Sequence, residues 1–368
     1  MQFQPVGYLE WMKDHFGRYT YDLANPAVQT LTPAELGLTP QDLEFNGRNY
    51  HGHPELLKTI AERFGVSTSN VVLTDGASMG IALLSFALLE PGMQVLLEAP
   101  NYEPLYRLPS SLGCDVRMME RPWEKGFQVD LESFQRRISR NTRVVWLTNL
   151  HNPSGVMTDG DRLRTLCQVS RDHGATLICS EVFRDLVFRG EPPPPAFKLD
   201  RSAVSIGSLS KLYGLDGLRV GWILCHEDLA RRLASVRNHF SVMGSWLCEH
   251  VTLAAFRRLD RLLARSRSIL TENLPVLKEF VEGRDDLEWV EPDGGTIAFL
   301  KLRGGVPSWD FARHLHDKYS TLVVPGDFFW AKGFLRVGFG GPTETLKSGL
   351  RILGNALTEW RRARHVTG

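Results

Sequence analysis

Apolar positions along the chain follow two periods, which alternate from about residue 50 to residue 240. Short continuous apolar runs, typical of strands buried on both faces, occur at residues 71–74, 93–97, 144–147, 176–179 and 204–206. Runs with apolar residues three or four positions apart, such as residues 56–64, are typical of helices. Strands that alternate with helices predict an α/β fold with a mostly parallel, doubly wound sheet.

The two ends of the chain carry a different pattern. Residues 7–19 predict a short amphipathic helix, and residues 246–272 predict one long helix that leads into a smaller α+β part. Residues 294–300 and 335–339 are the predicted strands of that part. The predicted division is a large domain of residues 46–245, with an N-terminal arm plus a small C-terminal domain formed by residues 1–45 and 246–368.

The composition indicates which kinds of partner the protein is expected to lack. The chain has 368 residues, enough for one large and one small core, with 43 basic and 42 acidic side chains. This balance gives no reason to expect nucleic acid or an anionic membrane as a partner. The longest apolar run, residues 79–89, is too short to span a bilayer, and the first residues lack a basic-then-apolar signal pattern.

Cysteines and histidines point to a reducing compartment and to no metal. The chain has no Cys-x-x-Cys pair, and its cysteines lie in mostly apolar runs, so we expect reduced core residues in a cytoplasmic enzyme. His51 and His53 lack a third ligand at a sensible spacing, which argues against a metal site. The five cysteines are Cys114, Cys167, Cys179, Cys225 and Cys248.

The clearest candidate chemistry lies in residues 206–222, on the turn between two predicted strands, of which the second covers residues 218–224. Lys211 is flanked there by Ser208 and Ser210, and Arg219 follows eight residues later among several glycines. A lysine on such a turn can act as a nucleophilic amine toward a carbonyl. The neighbouring hydroxyl and guanidinium groups suit an anion, most simply a phosphate. The plain alternative is a glycine-rich hairpin with a solvated lysine.

A second anion site is predicted where the strand at residues 71–74 meets the next helix. Asp75-Gly76-Ala77-Ser78 forms the turn, and residues 79–90 form the helix. Unpaired N–H groups and the helix dipole point the same way at a helix N-terminus, so such a turn attracts an anion. A glycine turn of this length is weak evidence by itself.

At residues 206–222 the sequence resembles the class I/II aminotransferases, the fold type I enzymes of pyridoxal 5'-phosphate (PLP). Their pattern is Ser-x-Ser-Lys followed by Gly-x-x-Gly-x-Arg-x-Gly, and further matches extend from about Tyr50 to Arg336. The resemblance implies a large PLP-binding domain with a smaller α+β domain, and PLP held as a Schiff base by Lys211. The phosphate ligands that it implies are Ser208, Arg219 and the backbone N–H groups of Ala77 and Ser78.

Other positions that match the family imply contacts around the cofactor and substrate. Tyr102 matches the aromatic residue that stacks on the cofactor ring, and Asn152 matches the amide that binds its 3-hydroxyl oxygen. Arg336 matches the arginine that pairs with the substrate carboxylate. Tyr50 matches the tyrosine that reaches the phosphate of the neighbouring subunit, which implies a homodimer with shared active sites. His151 is expected to support its loop rather than to react.

Two positions depart from the family pattern. Where relatives have Asp-Glu-x-Tyr, this chain has Ser180-Glu181-Val182-Phe183, so Ser180 and Phe183 replace the usual aspartate and tyrosine beside the ring. An aspartate keeps the ring nitrogen protonated by its charge, whereas a neutral serine cannot. Glu181 should face away, because adjacent strand residues point to opposite faces. We therefore predict a weak electron sink, with slow transamination or a reaction that needs less carbanion stabilisation.

The function that the resemblance implies is a PLP-dependent aminotransferase of amino-acid metabolism, acting on the α-amino group with amino-acid and 2-oxo-acid substrates. The runs Gly-Leu-x-Gly-Leu-Arg-Val-Gly-Trp and Leu-Val-Val-Pro-Gly also look like a smaller group that hydroxylates or cyclises arginine derivatives. Those runs occur in ordinary members too, so a cyclase, a hydroxylase or oxidase, and a lyase stay open. A PLP-binding protein with weak catalysis is a further alternative.

Overall fold

A central sheet and a smaller second sheet organise the chain, and the computed structural model describes residues 3–365. The strands are β1 (Tyr21–Asp22), β2 (Val71–Thr74), β3 (Gln94–Ala99), β4 (Asp115–Glu120), β5 (Thr142–Thr148), β6 (Thr176–Ser180), β7 (Val204–Ser208), β8 (Gly221–Leu224), β9 (Leu287–Trp289), β10 (Ile297–Leu302), β11 (Thr321–Leu322), β12 (Val324–Pro325) and β13 (Phe334–Gly338).

The helices in chain order are α1 (Gly7–His15), α2 (Pro54–Phe64), α3 (Gly76–Leu88), α4 (Pro104–Ser111), α5 (Leu131–Arg137), α6 (Gly160–Asp172), α7 (Ala196–Leu199), α8 (Glu227–Arg237), α9 (Trp246–Phe256), α10 (Leu259–Glu282), α11 (Ser308–Tyr319) and α12 (Thr343–His365). None of the helices within residues 3–365 is both long and apolar enough to cross a membrane.

The large sheet has seven strands in the order β2-β8-β7-β6-β5-β3-β4. Only β8 runs against the others, pairing antiparallel with both β2 and β7, which confirms the prediction of a mostly parallel sheet. Thr148 at the end of β5 lies opposite Ser180 at the end of β6. Because parallel strands end at the same edge, the residues that follow β2, β3, β5, β6 and β7 meet there.

Apolar layers cover both faces of this sheet. Along β5, Trp146 packs into the layer that α3 covers, whereas Val145 and Leu147 pack into the layer that α6 covers. This alternation follows from the two-residue period of a strand. Each large apolar side chain buried in this way contributes roughly 1.5–3 kcal/mol. The two covered faces hold the strand ends in one rigid edge.

A second sheet of four antiparallel strands, β12-β13-β10-β9, stands beside the first. The N-terminal arm lies beside it: β1 pairs parallel with β11 in a separate two-stranded sheet, and the Gly338 N–H donates to the Leu23 carbonyl. A Cβ at Gly338 would collide with the Asn25 carbonyl oxygen, so only glycine lets the arm lie directly on β13. The arm therefore passes between the two sheets.

Several predicted boundaries are wrong. Helix α3 begins at Gly76 rather than at residue 79, and β10 begins at Ile297 rather than at residue 294. The single helix predicted at residues 246–272 is two helices, with a break at Arg257 and Arg258. Nearly every residue of α9 from Val251 to Phe256 is buried, whereas α10 buries one stripe, so the two segments pack differently and need different axes. The strand predicted from residue 218 begins at Gly221, because residues 216–218 form a tight turn instead.

Candidate active site

A pocket opens at the carboxyl edge of the large sheet, beside the arm and the second sheet. It encloses about 740 Å³, including its open mouth. Ten of the predicted site residues line it: Ala77, Ser78, Tyr102, Asn152, Ser180, Phe183, Ser208, Lys211, Arg219 and Arg336. The pocket lining also contains residues that were not predicted, namely Tyr8, Pro26, Ile81, Thr148, Leu150, Val182 and Ser210.

Lys211 lies just beyond the end of β7, with its side chain half-buried in this pocket. Loss of hydration, together with the nearby cations Arg336 and Arg219 and against the opposing effect of Asp216, lowers its pKa to about 8. Its backbone carbonyl accepts a hydrogen bond from Val28 N–H (2.9 Å), so the N-terminal arm closes over the lysine turn. A substantial fraction of this amine is neutral near pH 8 and therefore nucleophilic.

The hydroxyl groups before Lys211 form a small network. Ser208 Oγ donates to Ser210 Oγ (2.7 Å) and accepts from Ser210 N–H (2.9 Å), which fixes both side chains beside the lysine. Arg219 enters the same region from a left-handed backbone position (φ 52°), and its Nη1 donates to the Asp216 carbonyl (3.0 Å). Hydroxyl and guanidinium donors thus converge, as the sequence predicted, into a set suited to a phosphate.

The N-terminus of α3 completes this end of the pocket. Asp75 stands at the N-cap, but its side chain accepts no capping hydrogen bond, so the first N–H groups of the helix stay available. Gly76 has φ +80°, and a Cβ there would collide with Arg219 Nη2. Glycine at this position lets the guanidinium lie against the helix start. The dipole of α3 and the charge of Arg219 then favour an anion at the same place.

Tyr102 and Asn152 stand where β3 and β5 end. The Tyr102 ring meets the Tyr8 ring edge-on, with the centroids 5.7 Å apart, and burial raises the pKa of its hydroxyl. The Asn152 backbone N–H donates to Thr148 Oγ1 (3.1 Å), and its Oδ1 accepts from Arg336 Nη1 (3.3 Å). Because the amide oxygen faces Arg336, the NH₂ group of Asn152 remains the donor for a pocket ligand.

Ser180 and Phe183 lie at the third strand end, and no carboxylate accompanies them. Glu181 turns away from the pocket: its Oε1 accepts from Ala196 N–H (2.7 Å), and burial raises its pKa to about 7. The orientation predicted for Glu181 is confirmed. Among the residues that line this pocket in the described part of the chain there is no aspartate or glutamate.

A buried ion pair behind the pocket was not predicted. Glu98 on β3 pairs with Arg121 (2.9 Å), and neither side chain is exposed. Glu98 Oε1 also accepts from the Thr148 N–H and hydroxyl groups, and Arg121 donates to the hydroxyl of Thr158. Removing one partner would leave a buried, unpaired charge, which is strongly destabilising. This pair ties the end of β3 to the loop that carries Asn152, and no local sequence signal marks it.

His151 takes the supporting role that was predicted. Its Nε2 donates to the Pro100 carbonyl and its Nδ1 accepts from the Ser154 hydroxyl, both at 2.7 Å. Burial lowers the pKa of the imidazole well below its usual value, and the charge of Arg121 acts in the same direction. His151 is therefore neutral and holds the loops that present Tyr102 and Asn152.

Arg336 forms the opposite end of the pocket from Arg219. Its Nη2 donates to the Tyr8 hydroxyl (2.9 Å) and to the Ala24 carbonyl (3.2 Å). Its Nε is buried and has no hydrogen-bond partner among the described residues. Sequence reasoning missed Tyr8, although the amphipathic pattern of residues 7–19 was the available signal for a helix that packs over the site.

Tyr50 is the one predicted cofactor contact that the pocket of this chain does not include. Its side chain is 60% exposed, and its carbonyl accepts from Arg237 Nη2 (2.8 Å). A role in a neighbouring subunit stays a prediction.

No group of three potential metal ligands occurs among residues 3–365. The His53 ring instead stacks on Trp246 with the centroids 4.3 Å apart.

The donor set fits PLP. A half-buried lysine with a lowered pKa suits the aldehyde, and the Ser208–Ser210–Arg219 cluster at the start of α3 suits the phosphate. The unpaired Nε of Arg336 suits a carboxylate at the other end.

Comparisons with known proteins agree with this reading. The family model described as aminotransferase class I and II matches residues 16–353. The chain is similar to the capreomycidine synthase of Streptomyces vinaceus, with 31% identity over 99% of this chain and 97% of that protein. Its fold is similar to a PLP-dependent aminotransferase from Streptococcus suis 89-1591, with a TM-score of 0.92, 29% identity, and 98% and 99% of the two chains covered.

Another solved structure with a similar fold is named for a different reaction. The fold is similar to the PLP-dependent cyclase OrfR, with a TM-score of 0.88 and 28% identity over 98% of both chains.

Proposed function

The chain belongs to the aminotransferase class I and II family of PLP-dependent enzymes, and from that premise we propose how its own residues carry out the reaction. Lys211 holds the cofactor covalently. Ser78, Ser208 and Arg219, with the first N–H groups of α3, bind its phosphate, while Tyr102 and Asn152 bind its ring. Arg336 binds the carboxylate of an amino acid, whose α-amino group is the reacting group.

When bound, PLP supplies a ring that withdraws electrons from the substrate's α-carbon. Lys211 Nζ would move a proton at the substrate's α-carbon. The cations Arg219 and Arg336 favour the neutral amine because they lower its pKa. Partial burial of Lys211 also limits the access of water, and the covering arm, which donates from Val28 N–H, adds to this protection.

The observation that carries the proposal is one half-buried lysine, with its pKa lowered to about 8, in a pocket that two arginine side chains also line. Borohydride reduction of the purified protein, followed by peptide mapping, should place the cofactor on Lys211. Lys211→Ala should remove the label, and the matched variant Lys198→Ala, near the exposed carbonyl of Gly65, should keep it. A label on another lysine, or none in the purified wild type, would refute the assignment.

A second candidate is a cyclisation, oxidation or elimination on an amino acid such as an arginine derivative. Two observations support it: the similarity to proteins named capreomycidine synthase and PLP-dependent cyclase, and Ser180 in a pocket whose described lining has no carboxylate. Both candidates begin with the same lysine and arginine. They differ in what happens after proton removal, where a weaker electron sink disfavours transamination.

Product analysis separates the two candidates. The holoenzyme is mixed with each common amino acid and with arginine derivatives, the absorbance of the cofactor is followed, and products are identified by mass spectrometry. Transfer of ¹⁵N from the amino acid to an added 2-oxo acid supports aminotransferase activity. A product formed without this nitrogen transfer, which has gained a ring, lost a small molecule or been oxidised, supports the second candidate.

We further propose a homodimer in which Tyr50 completes the partner's phosphate site. Exposed apolar side chains support a covered surface near Tyr50: Phe45, Phe240 and Val242 are all more than half exposed. Mixing Lys211→Ala subunits with Tyr50→Ala subunits should restore some activity if sites are shared. Proven mixed dimers without recovery would contradict a shared site.

A cytoplasmic location belongs to the same proposal. All five cysteines are free thiols, and Cys167, Cys179 and Cys225 are buried, as expected in a reducing compartment. Fractionation of the producing cells, with the protein found outside the cytoplasm, would contradict it.

A further inference from the structure

Arg336 is already partly engaged by the protein itself. A guanidinium has five N–H groups, and three are used here: one from Nη1 to Asn152 and two from Nη2 to Tyr8 and Ala24. The two bonds from Nη2 match its two hydrogens. The side chain is buried, with 1% of its surface exposed, so it cannot turn freely to another edge.

A carboxylate that accepts two parallel hydrogen bonds from Arg336 must use Nη2 as one of the two donors. The two edges of a guanidinium that present paired N–H groups are Nη1 with Nη2 and Nε with Nη2. One N–H of Nη1 and the N–H of Nε remain unused, and the buried, unpartnered Nε belongs to the second of these edges. A two-bond grip of the substrate therefore requires that one of the two present acceptors on Nη2 leave.

Of these two acceptors, the Ala24 carbonyl is the fixed one. Ala24 N–H donates to Asp22 Oδ1 (2.9 Å), and the neighbouring Leu23 bonds to both Leu322 and Gly338, so the backbone is held on the second sheet. The Tyr8 hydroxyl sits at the end of a rotatable side chain. Its ring contacts Tyr102, Phe328 and Phe329 through edge or tilted packing.

Helix α1 can stay docked while that hydroxyl moves. Val6 at its N-cap gives no side-chain cap, and Glu103 Oε2, from the start of α4, accepts the Tyr8 N–H instead (2.6 Å). Trp11 Nε1 donates to the Val323 carbonyl (3.2 Å), between β11 and β12. These bonds hold the backbone and the indole, not the phenol.

We propose that the Tyr8 hydroxyl is an internal competitor of the substrate carboxylate, occupying a donor of Arg336 that the carboxylate takes over. Tyr8 is thus a specificity-determining residue of the carboxylate subsite. A ligand without a carboxylate cannot displace the hydroxyl, because the exchange replaces a neutral acceptor with a charged one. The inference rests on the proposed role of Arg336.

The test is a calorimetric titration of the holoenzyme with propionate, an unreactive carboxylate without an amino group. Tyr8→Phe keeps the ring and removes the competing oxygen, so its Kd for propionate should fall by roughly fivefold, the size of one neutral hydrogen bond. Tyr8→Leu, which removes the hydroxyl by another route, should move the Kd in the same direction. Tyr319→Phe is the matched control, since its hydroxyl bonds to the exposed Glu359 and its removal should not change the Kd.

Two results would contradict the inference about Tyr8. An unchanged or raised Kd in both Tyr8 variants, with a cofactor spectrum like that of the wild type, overturns the inference, since it would mean that the hydroxyl ignores or assists the carboxylate. Arg336→Gln distinguishes the two proposals. If propionate binds this variant as well as the wild type, the carboxylate role of Arg336 fails, and the account of Tyr8 fails with it.

Discussion

The two ends of the pocket are built in different ways. The proposed phosphate end is made from two short stretches, residues 75–78 and 208–219, which follow β2 and β7, the two strands beside β8, and include the start of α3. The proposed carboxylate end joins Arg336 to Tyr8, 328 residues away, to Ala24, 312 residues away, and to Asn152, 184 residues away. The first is a local motif on a rigid sheet, and the second exists only when arm and sheets are packed together.

Because the two ends are built differently, mutations at them should have different energetic consequences. Strand and helix backbone fixes the phosphate end, so a side-chain change there should alter cofactor affinity and little else. The carboxylate end depends on an arm that lies on β13 and on a helix capped from elsewhere, so its geometry is more easily shifted. Four changes test the contrast, from the largest expected effect to the smallest.

Replacing each arginine by glutamine should give the largest and most opposed effects. Removing one partner of a buried charge pair typically loses about 2–4 kcal/mol, or roughly 30- to 1,000-fold. Arg336→Gln should lower kcat/KM for the amino acid by that factor and leave the Kd of PLP within a few-fold. Arg219→Gln should raise the Kd of PLP by that factor instead. Equal effects of both variants on both constants would show that the two ends are not separate.

Ser180→Asp should increase the electron withdrawal by the cofactor ring, which lies between the two ends, without changing the residues at either end. A carboxylate there favours a protonated ring nitrogen, so Lys211 should remove the α-proton about tenfold faster or more. Hydrogen–deuterium exchange at the α-carbon of a bound amino acid measures this rate. Ser180→Ala is the matched control and should not accelerate the exchange. An unchanged rate in Ser180→Asp, with normal cofactor content, would mean that position 180 does not control ring protonation.

Gly76→Ala should weaken the phosphate end by a smaller amount. Gly76 and Gly92 have nearly the same positive φ, 80° and 83°, so alanine at either position should cost about 1 kcal/mol of unfolding free energy. Only at Gly76 would the new Cβ collide with Arg219, whereas nothing lies within 4 Å at Gly92. The Kd of PLP should therefore rise several-fold in Gly76→Ala alone. A similar rise in Gly92→Ala would point to backbone strain rather than to a displaced Arg219.

The smallest expected effect is a shift in the pH dependence of cofactor uptake. It links the two ends, because Arg336 at one end changes the pKa of Lys211. Uptake needs the neutral amine of Lys211, so its rate in the cofactor-free protein should rise with pH through a midpoint near 8. Arg336→Gln removes a cation that lowers this pKa, so its midpoint should lie at higher pH. Arg117→Gln, on the exposed face of β4, should leave the midpoint unchanged. A wild-type midpoint near the ordinary lysine value would contradict the burial effect.

Sequence reasoning predicted the alternating strands and helices, the mostly parallel sheet, and ten residues that the fold brings into one pocket. These features depend on short-range patterns: apolar runs, a glycine turn before a helix, and a lysine preceded by two serines. It missed the break between α9 and α10, because neither Pro nor Gly marks it and only the difference in burial between the two helices explains it.

The sequence by itself therefore determined the family, the cofactor chemistry and the absence of an aspartate at position 180, since each is written in a local run of residues. The tertiary structure alone decided that Glu98 and Arg121 pair behind the strand ends, that Glu103 caps α1, and that Tyr8 occupies Arg336. Those contacts join segments far apart in the chain. No residue pattern encodes such a contact locally, because which side chains meet depends on the packing of arm, helices and both sheets together.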